Sequence, residues 1–295
     1  CSVRDLNTKP APAADANKGS WLDGLCAEEA PEVDPANATP EVEQLACNDG
    51  LNATLWVQTS AEYDMLARQS WFLAERQLEL ALKDRKWSAA TEQGEKFGKL
   101  TPAVIVDVDE TVLDNSRYQA RLAKNDESFH PDSWAKWCDE KQATAVPGAL
   151  EFAQYAASKG VRIFYVTNRT NNLEECTRSN LQALGFPLDA DTDTILTKSE
   201  RPEWTTDKGT RRTFIATEHR VLLLVGDQLG DFVDGSKSSV TERQATMEQY
   251  LEWWGTRWIV LPNPSYGHWE GALFGHDHGL DVRAKKTKKF NALRP

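Results

Sequence analysis

The chain has 295 residues and a formal charge of −11, from 34 basic and 45 acidic side chains. That length predicts one large or two modest domains with a real core, and 40% apolar with 27% charged residues excludes collagen-like, fully disordered and disulfide-scaffold classes. An acidic chain without a basic groove repels polyanions, so no long nucleic acid is expected as a partner, and no apolar run approaches the roughly 20 residues that a membrane-spanning helix needs.

The first residue is Cys1, where an initiator Met would stand. A cysteine made N-terminal by processing is the mark of a bacterial lipoprotein, with a membrane anchor by lipid at Cys1; a chain boundary that happens to fall at a cysteine leaves the same residue first. Ala, Pro, Asn, Asp and Glu dominate the residues that follow, so 1–50 reads as a flexible tether. Four cysteines remain, and their neighbourhood suggests Cys26 with Cys47 and Cys138 with Cys176, one of three pairings that four cysteines allow.

Residues 56–82 carry Met65, Leu66, Phe72, Leu73, Leu78, Leu80 and Leu82 at helical spacing and predict one long amphipathic helix. Strands and helices then alternate. Strands are predicted at 103–106, 161–166, 195–196, 221–225 and 258–261, with helices at 148–158, 172–184 and 210–218. That order predicts an α/β fold with a Rossmann-like parallel sheet, whose ligands bind at the carboxyl ends of the strands. The segment around 112–147 is too long for a turn and holds Phe129, Trp134 and Trp137, which reads as a small helical cap. Residues 281–295 read as a basic, frayed, solvated tail.

Polar groups collect where the strands run out. Residues 103–106 lead into Asp107-Val108-Asp109-Glu110-Thr111, and strand alternation aims both aspartates the same way. Thr167-Asn168-Arg169 follows the second strand, Lys208 precedes a helix, and Gly226-Asp227 with Asp231 follows the fourth. Together they offer an oxygen nucleophile, a proton donor and a cation for phosphoryl oxygens, which hydrolysis of a phosphate monoester requires. His276-Asp277-His278 reads as an exposed loop rather than a metal site.

DVDET, TNR, the isolated lysine and GDxxxD, in this order, resemble the four motifs of the haloacid dehalogenase superfamily. The strings AVIVDVDETVLDNSRYQ, YVTNR, VGDQLGDF and LPNPSYGHWEG, with LWVQTSAEY upstream, resemble the class C acid phosphatases, bacterial lipoproteins that often act as 5′-nucleotidases. The likeness covers about 51–274, so a phosphatase domain of the haloacid dehalogenase type over 51–280 is expected, with the helix of 56–82 as an N-terminal helical extension. It implies Asp107 as nucleophile, Asp109 as general acid and base, Thr167 and the backbone of Asn168 on phosphoryl oxygens, and Lys208 as their cation, with Lys198 competing for that role. One Mg2+ ion is implied on Asp107, the carbonyl of Asp109 and Asp227, with Asp231 nearby through water or simply opening a helix. Trp134 and Tyr266 match the family's nucleobase-stacking positions, although each could be core. The chain departs from the family at Ser116-Arg117-Tyr118, where relatives commonly have Ser-Pro-Tyr, which puts substrate preference in doubt.

The expected activity is therefore a magnesium-dependent acid phosphomonoesterase for 5′-nucleotides or related small esters. Alternatives are a non-catalytic ligand-binding lipoprotein on the same fold and a phosphotransferase using the same residues. The implied setting is the bacterial cell envelope, at the outer membrane because Ser2 follows the cysteine, and relatives pair as homodimers.

Overall fold

The computed structural model describes residues 48–294. The expected lipid anchor at Cys1, most of the 1–50 tether and the proposed pair Cys26–Cys47 lie outside the described residues. A five-stranded, all-parallel sheet runs in the order β5-β4-β1-β6-β7, built from β1 (Thr101–Val106), β4 (Arg162–Thr170), β5 (Ile195–Lys198), β6 (His219–Gly226) and β7 (Trp258–Val260). Parallel strands need crossovers, and these put helices on both faces. The sheet is accordingly buried on both sides: Val104 and Val106 join one core with Ile163 and Tyr165, while Ala103 and Ile105 join the other with Phe164 and Val166.

The N-terminal extension is two helices, α1 (Leu51–Thr59) and α2 (Ala61–Lys83), where the periodicity predicts one. Ser60 interrupts them: its backbone is extended and its hydroxyl accepts from the Tyr63 amide at 3.1 Å, an N-cap that starts a new helix. The face of α2 that meets the sheet also differs from expectation. Met65, Leu66, Phe72 and Leu80 are exposed, whereas Ala67, Trp71, Ala74, Leu78 and Ala81 are buried. Alanine every seven residues lets the helix backbone lie close on its neighbours, with Trp71 stacking on Phe152 of α5 (Ala149–Ser158) at 5.0 Å between ring centroids.

Between β1 and α5 the chain makes the expected cap. A two-stranded antiparallel ladder, β2 (Leu113–Asp114) with β3 (Thr144–Ala145), closes off an excursion containing α3 (Ser116–Asn125) and α4 (Pro131–Glu140). A disulfide joins Cys138 of α4 to Cys176 of α6 (Glu174–Leu184), pinning the cap to the sheet domain as the neighbourhood pairing anticipated. The remaining helices are α7 (Gly209–Glu218), α8 (Val240–Gln249), α9 (His268–Leu273) and α10 (Val282–Asn291). The last corrects the expectation of a frayed tail. Asp281 caps α10 through the Ala284 amide at 2.7 Å, and Lys289 pairs with Asp49 at 3.0 Å and with Glu270. No helix among the described residues is long and apolar enough to cross a membrane.

Candidate active site

The carboxyl ends of β1, β4 and β6 converge on one buried cluster. Asp107 follows β1 directly, its amide donating to the Val225 carbonyl at 2.9 Å, so the strand ladder itself fixes its backbone. Lys208, at the start of α7, reaches it across the sheet edge. Its ammonium donates to Asp107 Oδ1, to Asp231 Oδ1 at 2.7 Å and to the Val166 carbonyl at 2.6 Å, which uses all three of its protons. Burial lowers the lysine's pKa, but Asp107 and Asp231 outweigh it and hold the group above its ordinary value. The Asp107 carboxyl is pushed up to about 7, chiefly by burial, with Lys208 opposing and Asp231 and Asp109 adding. Of the two candidate lysines, Lys208 is the one in contact with the acid; Lys198 ends β5.

Asp227 and Asp231 complete the cluster. Asp227 accepts from Asn263 Nδ2 at 2.7 Å and from the Thr111 hydroxyl at 3.4 Å, and its carboxyl is pushed well up by burial and then by Asp231 and Asp107. Asp231 also accepts from the Gln228 amide at 2.9 Å. Gly226, just before Asp227, is a steric necessity, because a Cβ there would lie 2.3 Å from Asp231 Oδ2. Oxygens of Asp107, Asp227 and Asp231 lie within 4.8 Å of one another. One lysine does not balance three buried carboxylates, and a hard, all-oxygen donor set of this kind suits a small divalent cation such as Mg2+. The side chain of Asp109 is not part of this set; only its carbonyl remains available for the role the resemblance implies.

Asp109 belongs instead to a second cluster. Its carboxylate takes Arg169 Nη2 at 2.7 Å and Nε at 3.1 Å, together with Asn115 Nδ2 at 2.9 Å, and stays 19% exposed. Arg169 is itself held from behind by Thr177 Oγ1 at 3.0 Å and Cys138 Sγ at 3.1 Å. Asn115 is fixed by the Trp137 indole N–H at 2.8 Å, which makes Trp137 a buried structural residue. The sequence reading gave Arg169 and Asn115 no role, although both stand inside the quoted strings. A cation three positions from a strand's apolar end was the available signal for Arg169.

Thr167 ends the unbroken buried run of β4, with its hydroxyl accepting from the Arg169 amide at 3.0 Å and still able to donate. The Asn168 side chain is tied into the loop by the Thr206 carbonyl at 3.0 Å and Arg211 Nη2 at 2.7 Å, so it is the backbone of Asn168 that is left to meet a substrate. Arg211, wholly buried, also donates to the Thr167 carbonyl and thereby braces the whole turn.

The two aromatic candidates are placed differently. Trp134 is half-buried in the cap, 5.1 Å edge-on to Tyr118 and 5.2 Å from the Arg169 guanidinium, so its ring already covers the residue that holds Asp109. Tyr266 lies across from the acids, its hydroxyl donating to Glu110, a buried residue at φ 60° whose carboxyl is pushed well up by burial and then by Asp109 and Asp227. Arg117 is exposed on the first turn of α3. His276 Nε2 donates to the Ser238 carbonyl, 3.0 Å away, and joins neither group of clustered acids among the described residues.

A sequence model for the HAD superfamily, subfamily IIIB (Acid phosphatase), matches residues 23–269. The chain belongs to that family. Among solved structures, the class C acid phosphatase from Bacillus anthracis is similar at a TM-score of 0.75 and 32% identity, covering 85% of this chain and 98% of that one. The same enzyme with tungstate bound gives a TM-score of 0.73 at 31% identity, over 84% of this chain and 98% of that one. Curated relatives include acid phosphatase 1 of Solanum lycopersicum, 29% identical over 55% of this chain and 57% of its own length. The stem 28 kDa glycoprotein of Glycine max is 22% identical over 55% of this chain and 58% of its own. The chain thus spans a little over half the length of these curated relatives.

Proposed function

We propose that this acid phosphatase family member hydrolyses small phosphate monoesters, 5′-nucleotides among them, through a covalent intermediate on Asp107. The observation that carries this reading is the Asp107–Lys208 contact, with a second carboxylate, Asp109, held separately by Arg169 two residues further on. A divalent cation held by Asp107, Asp227 and Asp231 would supply positive charge for the ester's anionic oxygens.

In the first step an Asp107 oxygen attacks phosphorus and the bond to the ester oxygen breaks. Asp109 gives its proton to the departing alkoxide, and Lys208 with the Thr167 hydroxyl bears the charge on the phosphoryl oxygens. In the second step water attacks the same phosphorus, the acyl phosphate bond breaks, and the water's proton goes to Asp109. Inorganic phosphate leaves and both acids are restored. Trp134 beside the Arg169 that holds Asp109, and Tyr266 bonded to the neighbouring Glu110, support a preference for nucleosides as the leaving group.

Phosphate release should be measured from 5′- and 3′-nucleoside monophosphates, sugar phosphates and p-nitrophenyl phosphate, with Mg2+ and with EDTA. Turnover that needs the cation and vanishes in Asp107→Asn is the expected result. A folded, Mg2+-supplied protein that hydrolyses none of them overturns the reading.

A further inference from the structure

Helix α10 reverses the charge of the molecule locally. Residues 282–295 hold Arg283, Lys285, Lys286, Lys288, Lys289 and Arg294 without a single acid, on a chain whose total is −11. Lys285 and Lys289 dock the helix. Lys289 pairs with Asp49 and Glu270, while Lys285 donates to the His278 carbonyl at 3.0 Å and sits 5.8 Å from the Phe274 ring. No residue of α10 is buried. Arg283, Thr287 and Phe290 follow one another at spacings of four and three, hence along one face, and all are exposed. Phe290 is 74% exposed and Leu293, one turn on, 69%.

We infer that this face of α10 binds an anionic phospholipid surface. Cations alone would fit any polyanion, but two large apolar side chains beside them gain only from a partner with a hydrocarbon phase behind its charge, and Leu293 has nothing to gain from a nucleic acid. The rest of the protein is acidic, so a flat surface met at one edge is tolerated where a polyanion wrapped round the molecule is not. The inference is independent of the phosphatase reading, since α10 contributes nothing to the clusters around Asp107 and Asp109.

The test is sedimentation of the full chain, unacylated, with vesicles of phosphatidylcholine alone or containing phosphatidylglycerol. Retention by the anionic vesicles only, released as salt rises, is expected. At about fivefold per charge, Arg283→Gln with Arg294→Gln should weaken partitioning by about twenty-five-fold. Turnover of a soluble ester and the melting temperature should stay unchanged. Phe290→Ser should weaken binding further without altering its salt slope. Absence of retention at low salt, retention equal in the double variant, or tighter binding to RNA or heparin than to the vesicles overturns the inference.

Discussion

Asp107 and Asp109 leave the same strand two residues apart, yet they stand in different halves of the site. Asp107 is sealed among Lys208, at the start of α7, and Asp227 and Asp231, in the segment after β6, and its carboxyl is raised to about 7 mainly by burial. Asp109 is partly open to solvent and is gripped by a planar guanidinium whose own supports come from α6 and the cap. In the proposed mechanism one acid stays with phosphorus and the other follows the leaving group. The first environment depends on the parallel sheet alone, while the second depends on two excursions from it being locked together.

The largest effect should come from the first half. Asp107→Asn is expected to lower turnover by at least about 10^3-fold, as removal of a nucleophile does. The same change should leave the melting temperature level or raise it, because it removes one of three crowded buried carboxylates and keeps Lys208 paired with Asp231. A fall in stability equal to the fall in activity would mean that Asp107 is chiefly structural and would break the comparison. Withdrawing the divalent cation with EDTA should abolish turnover to a similar extent, reversibly on adding Mg2+.

The second half predicts a smaller and more selective loss. Arg169→Lys keeps the charge but cannot grip both Asp109 oxygens, so kcat should fall about 10- to 100-fold with KM nearly unchanged, within the span that general acid catalysis contributes. The defect should be large for alkyl and nucleoside phosphates and small for p-nitrophenyl phosphate, whose phenolate departs without a proton. Equal losses on both kinds of ester would show that Arg169 shapes the site generally rather than placing the acid.

Below that comes the disulfide. Cys138 and Cys176 lie behind Arg169, so reducing the bond with a dithiol should lower kcat severalfold on the poor leaving groups first. A bridge closing a loop of this size, 38 residues, contributes about 2–4 kcal/mol to stability. The melting temperature of the Cys138→Ser and Cys176→Ser double variant should therefore drop as well. If its kcat is untouched while its stability falls, the cap holds Arg169 without covalent help.

The same division marks what the sequence made legible. Strand ends announce themselves: an apolar run followed by acids points to Asp107, Asp227 and Asp231, whose oxygens gather within 4.8 Å of one another, and helix-opening position points to Lys208, which contacts Asp107. Contacts between excursions leave no such trace. Arg169 stood in plain view, but its fork meets Asp109 only because β4 and β1 are neighbours and the cap folds back over both. Trp134 was weighed as a base platform, and the structure sets it over that guanidinium. Hydrophobicity misled on α2 for a different reason: the close approach to the sheet is made by Ala67, Ala74 and Ala81, so the larger Met65 and Phe72 face outward. The Ser60 and Asp281 caps were readable as N-cap residues opening α2 and α10, and ordinary capping rules would have recovered both boundaries.

The smallest effect lies away from both acids and concerns acid tolerance. His268 bonds Ser236 at 2.7 Å through Nδ1, and its pKa is lowered from 6.5 to about 4 by burial, with Lys237, Arg243 and His276 adding. A folded-state value below the unfolded one means that the unfolded chain takes up the proton first. The stability that goes with neutral His268 is therefore complete above pH 6.5 and is lost as the pH falls toward 4. The raised Asp107 carboxyl works in the opposite direction, since the folded state then holds the extra proton as the pH drops below about 7. Bulk melting data would blend the two. The difference between wild type and His268→Gln isolates the histidine: the variant should be less stable at pH 7 for loss of its packing, and the gap should narrow by a few degrees at pH 5. A gap that is constant with pH would place the His268 titration outside this window.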